Sequence, residues 1–225
     1  MLDSDRTTSS TPADAGRRRR VTRGLLGCGV IAGPLYVLLW WGQAAAREGF
    51  DPTRHAASLL ANGSWGWTQT LNFVLAGTLV TAAGIGVGRA TGSRWGGGLL
   101  TAFGVGTLAA AVFPADPADG FPVGTPAGPA EPTLQGLLHL VTGGAGFLCL
   151  VAACLVLGRE FARRGERGWA AFTRVTGVLF LTAFVGVASS GGAPALVLAF
   201  SAAVILGWAW LAAVTFRLRR SAPGR

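Results

Sequence analysis

Six runs of about 19–24 predominantly apolar residues divide this chain, at roughly 24–46, 68–88, 96–114, 134–157, 172–190 and 194–216. A helix rises about 1.5 Å per residue, so about 20 residues cross a hydrocarbon core about 30 Å thick. Lipid offers the backbone no water to bond to, and a spanning run of this length satisfies its own amides as a helix. The expected fold is all-α, a polytopic membrane helix bundle with six transmembrane helices over residues 24–216. Little of the 225-residue chain is left for a soluble domain. The Ser/Thr/Asp-rich, then basic segment 1–23 is expected to be a disordered tail, and 217–225 a second basic tail.

The basic residues orient the spans. All 19 are arginines, and with the connecting segments assigned alternately to two sides, 17 fall on the side of both termini. Only Arg47 and Arg54 fall on the other. Arg-rich loops resist translocation, so both termini are expected to be cytoplasmic, in a bacterial cytoplasmic membrane. The terminal side carries five acids against its 17 arginines, and the opposite side carries five against two. The net charge of +9 is therefore an orientation signal in contact with lipid head groups, not a nucleic-acid-binding surface.

The chain is 51% hydrophobic and 13% charged, with 35 glycines. Small residues let membrane helices approach closely. Gly29 with Gly33, Gly84 with Gly88, and the series Gly98, Ala102 and Gly106 are the expected contact faces. Cys28, Cys149 and Cys154 all lie in apolar runs and are expected to pack rather than to form disulfides. Residues 17–46 have the basic start of a signal peptide, but the apolar run of about 23 residues exceeds the usual 7–15, so an anchor is expected.

Two loops on the arginine-poor side carry the polar chemistry. In loop 47–67, Asp51-Pro52 or Thr53 can start a short surface helix that Asn62-Gly63 would end. On that helix Arg54 and Ser58 would share a face, with His55 beside Ser58. Trp65 and Trp67 suit the membrane interface. Residues 114–132 hold six of the eleven prolines, which predicts an extended, ordered loop. His139 lies about 9 Å down the fourth span.

These pieces resemble a known family. They are Arg54-His55-x-x-Ser58 followed by Trp65-Gly66-Trp67, then Phe73-x-x-x-Gly77, Phe113-Pro114-x-Asp116-Pro117 and His139. Together they are similar to the six-span bacterial and archaeal membrane proteins of the domain of unknown function 998 family, over roughly residues 24–216. The resemblance implies architecture, and no activity.

Topology places Arg54, His55, Ser58, Asp116 and His139 on one side, as a pocket roofed by loops 47–67 and 114–132. The first expectation is a non-catalytic site that binds or senses a lipid or small apolar ligand. Two imidazoles and a carboxylate are also acceptable zinc ligands with a fourth position open to water. His55, Asp116 and His139 would then serve a metal-dependent hydrolase acting on lipid at the outer leaflet. A small transporter is the third expectation, weakened by the lack of charges deep in the spans. No phosphate-binding loop, HExxH or nucleophile elbow is present.

Overall fold

The computed structural model describes residues 12–129 and 131–221. Six helices follow one another: α1 (Pro12–Ala46), α2 (Gly66–Thr91), α3 (Arg94–Val112), α4 (Leu134–Arg163), α5 (Arg167–Ser189) and α6 (Pro194–Ser221). A short 3-10 turn, Ala57–Ala61, interrupts the α1–α2 loop. All six helices are long and apolar enough to cross a membrane. Large apolar side chains such as Ile31, Leu38, Val105, Leu140, Val178 and Leu198 stay exposed on the bundle's flanks, the surface a bilayer covers. The chain is thus a multi-pass membrane protein.

Within the N-terminal segment expected to be disordered, residues 12–23 form the first turns of α1, and residues 1–11 lie outside the described residues. Arginine is a good helix former, no Gly or Pro interrupts 17–23, and Asp14 sits in the first turn where it complements the helix dipole. Residues 217–221 of the expected C-terminal tail complete α6, and 222–225 lie outside the described residues.

Each helix packs on its neighbours in sequence, and α6 closes back on α1, giving a ring. The start of α1 and the end of α6, with the turns 92–93 and 164–166, gather at one end, the arginine-rich end. Loops 47–65 and 113–133 and the turn 190–193 gather at the other, the loop end.

Close approach at glycine builds the ring. A methyl group on Gly33 would lie 2.5 Å from the Trp208 carbonyl oxygen, and one on Gly29 2.5 Å from the Thr215 side chain, so α1 lies backbone-to-backbone on α6 as expected. Gly84 meets the backbone of Thr101 and Gly97, and Gly77 that of Gly104, which joins α2 to α3. The expected face on α3 needs correction. Gly98 points to open space, and the α3 glycines that touch α2 are Gly97 and Gly104, seven apart. Gly106 does make a close contact, but with Gly146 of α4. Consecutive glycines at 96–98 left the phase of that face ambiguous in sequence. The three cysteines are free, and Cys154 packs on Gly177.

Hydrogen bonds between side chains reinforce two seams. The Trp210 indole donates to the Thr173 hydroxyl (3.1 Å) between α6 and α5. Between α1 and α2, Gln43 donates to Gln69 (2.9 Å), Thr68 donates to Gln43 (2.5 Å), and Asn72 donates to the Tyr36 carbonyl (3.2 Å). Gln69 and Asn72 are fully buried. In lipid such bonds hold helices together because the alternative is an unpaired polar group.

Candidate functional site

The α1–α2 loop is organised by Asp51. Its carboxylate accepts from the Thr53 backbone N–H (2.8 Å) and hydroxyl (2.7 Å), and its carbonyl accepts from the N–H groups of Arg54 and His55. This turn replaces the surface helix expected over residues 51–62. The chain tightens into the 3-10 turn, and Leu59 and Leu60 are buried against the bundle instead of lying on its surface. A competing local side-chain-to-backbone bond of this kind is why Asp starts turns as readily as helices. The Thr53 donors hold the Asp51 carboxyl below the usual carboxylate range.

His55 is packed between Phe50 and Phe121, with ring centroids 5.4 and 5.5 Å away. Its Nδ1 accepts from the Asp51 backbone N–H (2.8 Å). That bond requires the proton on Nε2, which donates to the Asp119 carbonyl oxygen (3.1 Å) in the α3–α4 loop. Phe121 of the same loop is fully buried. The Arg47 guanidinium lies over its ring, 5.2 Å from the centroid, and donates to the carbonyls of Leu60 (3.1 Å) and Asn62 (2.6 Å). Desolvation lowers the pKa of that guanidinium. Asn62 in turn donates to the Ala115 carbonyl (3.0 Å). Loops 47–65 and 113–133 are thus fastened by Arg47, His55, Asn62 and Phe121.

Asp116 faces elsewhere. Its two carboxylate oxygens accept from the Thr133 N–H (3.0 Å) and hydroxyl (2.6 Å), and it lies over Gly136 in the first turn of α4. There it complements the positive end of the helix dipole. The carboxylate near Arg54 is Asp119, at 4.0 Å, and the Arg54 side chain is 49% exposed. His139 is buried and bonds through Nδ1 to the Phe113 carbonyl (2.8 Å). A carbonyl only accepts, so Nδ1 carries the proton and Nε2 keeps its lone pair.

The five residues grouped from sequence therefore divide. The metal set does not assemble: both nitrogens of His55 are already bonded, both oxygens of Asp116 accept from Thr133, and His139 is the one imidazole of the set with a free nitrogen lone pair. Among the described residues no three His, Cys, Asp or Glu side chains are placed to hold a metal ion. No hydrogen bond joins Ser58 to either histidine.

Ser58 and His139 do share a cavity. It lies inside the ring at the loop end, with a volume of about 90 Å³. Aromatic rings recur around the wall, with Tyr36, Phe103, Phe147 and Trp208 among them. The roof comes from Ala56–Ser58 alone, so loop 113–133 covers the first loop and not the cavity. Arg54, His55 and Asp116 are not in the wall, and no charged side chain is. Ser58 and Ser201 line it with hydroxyls that make no hydrogen bond to the described residues. Trp40, also in the wall, has a buried indole N–H without a protein partner. Gly143 opens onto it, and a methyl group there would meet nothing within 4 Å.

Sequence reasoning missed Asp119, Phe121, Gln69, Ser201 and the clamp made by Arg47. Phe121 carried a signal, as one of few large apolar residues in a Pro/Gly-rich loop. Ser201 carried none, being one hydroxyl in an apolar span. The Trp65-Gly66-Trp67 motif has a plain reading: both indoles are 59% exposed at the loop end, and a side chain on Gly66 would collide with the Ala61 carbonyl.

Neither a curated protein nor a solved structure matches the chain. Residues 30–217, however, match the family model described as Protein of unknown function (DUF998), which takes in α2 to α5 whole, the loop-end half of α1 and all but the last four residues of α6. The chain belongs to the DUF998 family.

Proposed function

We propose that this membrane protein is a non-catalytic receptor for a small, uncharged, largely apolar ligand held in the cavity at the loop end. The observation that carries the reading is the make-up of the wall, which is aromatic and aliphatic, free of charge, and supplied with two unpaired hydroxyls and the free Nε2 of His139. Binding sites of this kind are mostly apolar, with a few polar groups that fix orientation. Size narrows the ligand. The cavity of about 90 Å³ is smaller than the roughly 150 Å³ in which an apolar void takes up benzene. A slender hydrocarbon chain end bearing one hydroxyl-sized polar group suits it better than a ring. The arginine bias puts this end of the bundle outside the cytoplasm, so the ligand arrives from the outer leaflet or beyond.

Bromine-labelled straight-chain alcohols test this, because Trp208 in the wall reports their arrival by fluorescence quenching. Saturable quenching is expected in the wild type. Gly143→Leu, whose side chain grows into open space, should abolish saturation while leaving the fold intact. Quenching that never saturates, or that is equal in the variant, would sink the proposal.

A further inference from the structure

The arginine-rich end holds a second, larger cavity, of about 630 Å³. Four separate segments meet in its wall: Arg18 and Arg19 with Thr22 from α1, Arg89 from α2, Arg164 following α4, and Ser221 closing α6. No carboxylate lines it. Arg164 bonds Glu160 at 2.9 Å and donates to the Thr91 carbonyl (2.7 Å), Asp14 lies one turn before Arg18 on α1, and Glu166, two residues past Arg164, pairs with Arg217 instead. Four guanidiniums against two carboxylates leave an excess of two positive charges around one void. Orienting the spans requires arginines on this side of the membrane, but not their convergence. Elsewhere at this end arginines are spent otherwise: Arg217 pairs with Glu166 (3.1 Å), and Arg220 covers the Phe216 ring.

Like charges facing a shared cavity repel unless a counter-charge sits among them, and they raise the local concentration of anions. Guanidinium forks match phosphate oxygens in bidentate fashion. The depth is also suitable. Arg18 to Thr22 precede the apolar run by a few residues, less than about 10 Å of helix, and the head-group layer adds about 5–7 Å to each side of the hydrocarbon core.

We infer that this cavity is a phosphate-binding site, filled by the phosphodiester of an anionic phospholipid or by a soluble phosphate. It is independent of the loop-end cavity.

Native mass spectrometry of protein released from discs of phosphatidylcholine and phosphatidylglycerol tests the lipid source. Thermal unfolding against inorganic phosphate, in discs of phosphatidylcholine alone, tests the soluble one. Wild type should retain phosphatidylglycerol, or be stabilised saturably by phosphate. Arg18→Gln/Arg89→Gln should weaken whichever is seen by about tenfold or more, since each lost guanidinium removes charge-assisted bonds. Arg159→Gln/Arg167→Gln removes the same charge at the same end, outside the cavity, and should behave as wild type. Should the cavity variant not fold, Arg18→Lys/Arg89→Lys takes its place, keeping the charges and losing the forks, with the same expected weakening. Retention of phosphatidylglycerol with no phosphate effect assigns the lipid, and the reverse assigns the free anion; either supports the site. Equal losses in the cavity and control variants, or no binding of either probe by wild type, would overturn it.

Discussion

The two arginines on the sparse side exchange importance between sequence and structure. Arg54 stands beside His55 in the motif, yet its side chain is half exposed and 4.0 Å from Asp119. Arg47, at the end of α1, holds two carbonyls and the Phe121 ring. Arg47→Met should therefore cost about 2–3 kcal/mol, the scale of hydrogen bonds from a charged donor. Arg54→Ala should stay within about 0.5 kcal/mol, as for an exposed ion pair. Thermal unfolding in one detergent compares them. Asp51 gives a pH dependence with a definite sign. Its folded pKa lies below the unfolded value of about 3.9, so its bonds to Thr53 stabilise the loop above that pH and are lost as pH falls through the folded pKa. Wild type should lose stability on the acid side more steeply than Asp51→Asn. The residue types of the loop-end chemistry were legible in the sequence; the partners were not. His55 bonds to a residue 64 positions away, and no local period encodes which of Asp116 and Asp119 will face it.

At the scale of the element, the spans were readable because membrane thickness fixes helix length, and each predicted run lies within one helix but for a residue or two at its ends. Loop geometry was less readable. Asp51 can cap a helix or close a turn, and burial of Leu59 and Leu60 accompanies the turn. Helix faces divided in the same way. Gly29 and Gly33 lie on the predicted face, whereas the α3 face depended on choosing among three consecutive glycines. Substitution separates those glycines. Gly84→Leu places a side chain against the α3 backbone, where a first carbon already lies 2.6 Å from the Thr101 nitrogen, and should unfold the protein or lower its midpoint by many degrees. Gly98→Leu, facing open space, should be tolerated and raise helix propensity. A comparable loss in both would contradict the assigned α2–α3 contact.

For the whole molecule, six crossings put both chain ends on one side of the bundle, and we propose from the arginine bias that this side faces the cytoplasm. A reporter active only outside the cytoplasm should work when fused after residue 125 and stay silent after residue 165; the opposite pattern would invert the molecule. The ring also has a seam. Its other principal contacts join consecutive helices, but α1 meets α6, the first span against the last. Phe200, Ser201, Val204 and Trp208 of α6 form one side of the loop-end cavity. During synthesis, then, five spans can be in the bilayer and paired while the glycine face of α1 still borders lipid and no enclosed space exists. Only when the final helix is released does the ring shut and the loop-end cavity come into being. The ligand recognition proposed above is thereby reserved for the completed chain, and a partially made molecule has no cavity with which to compete for it.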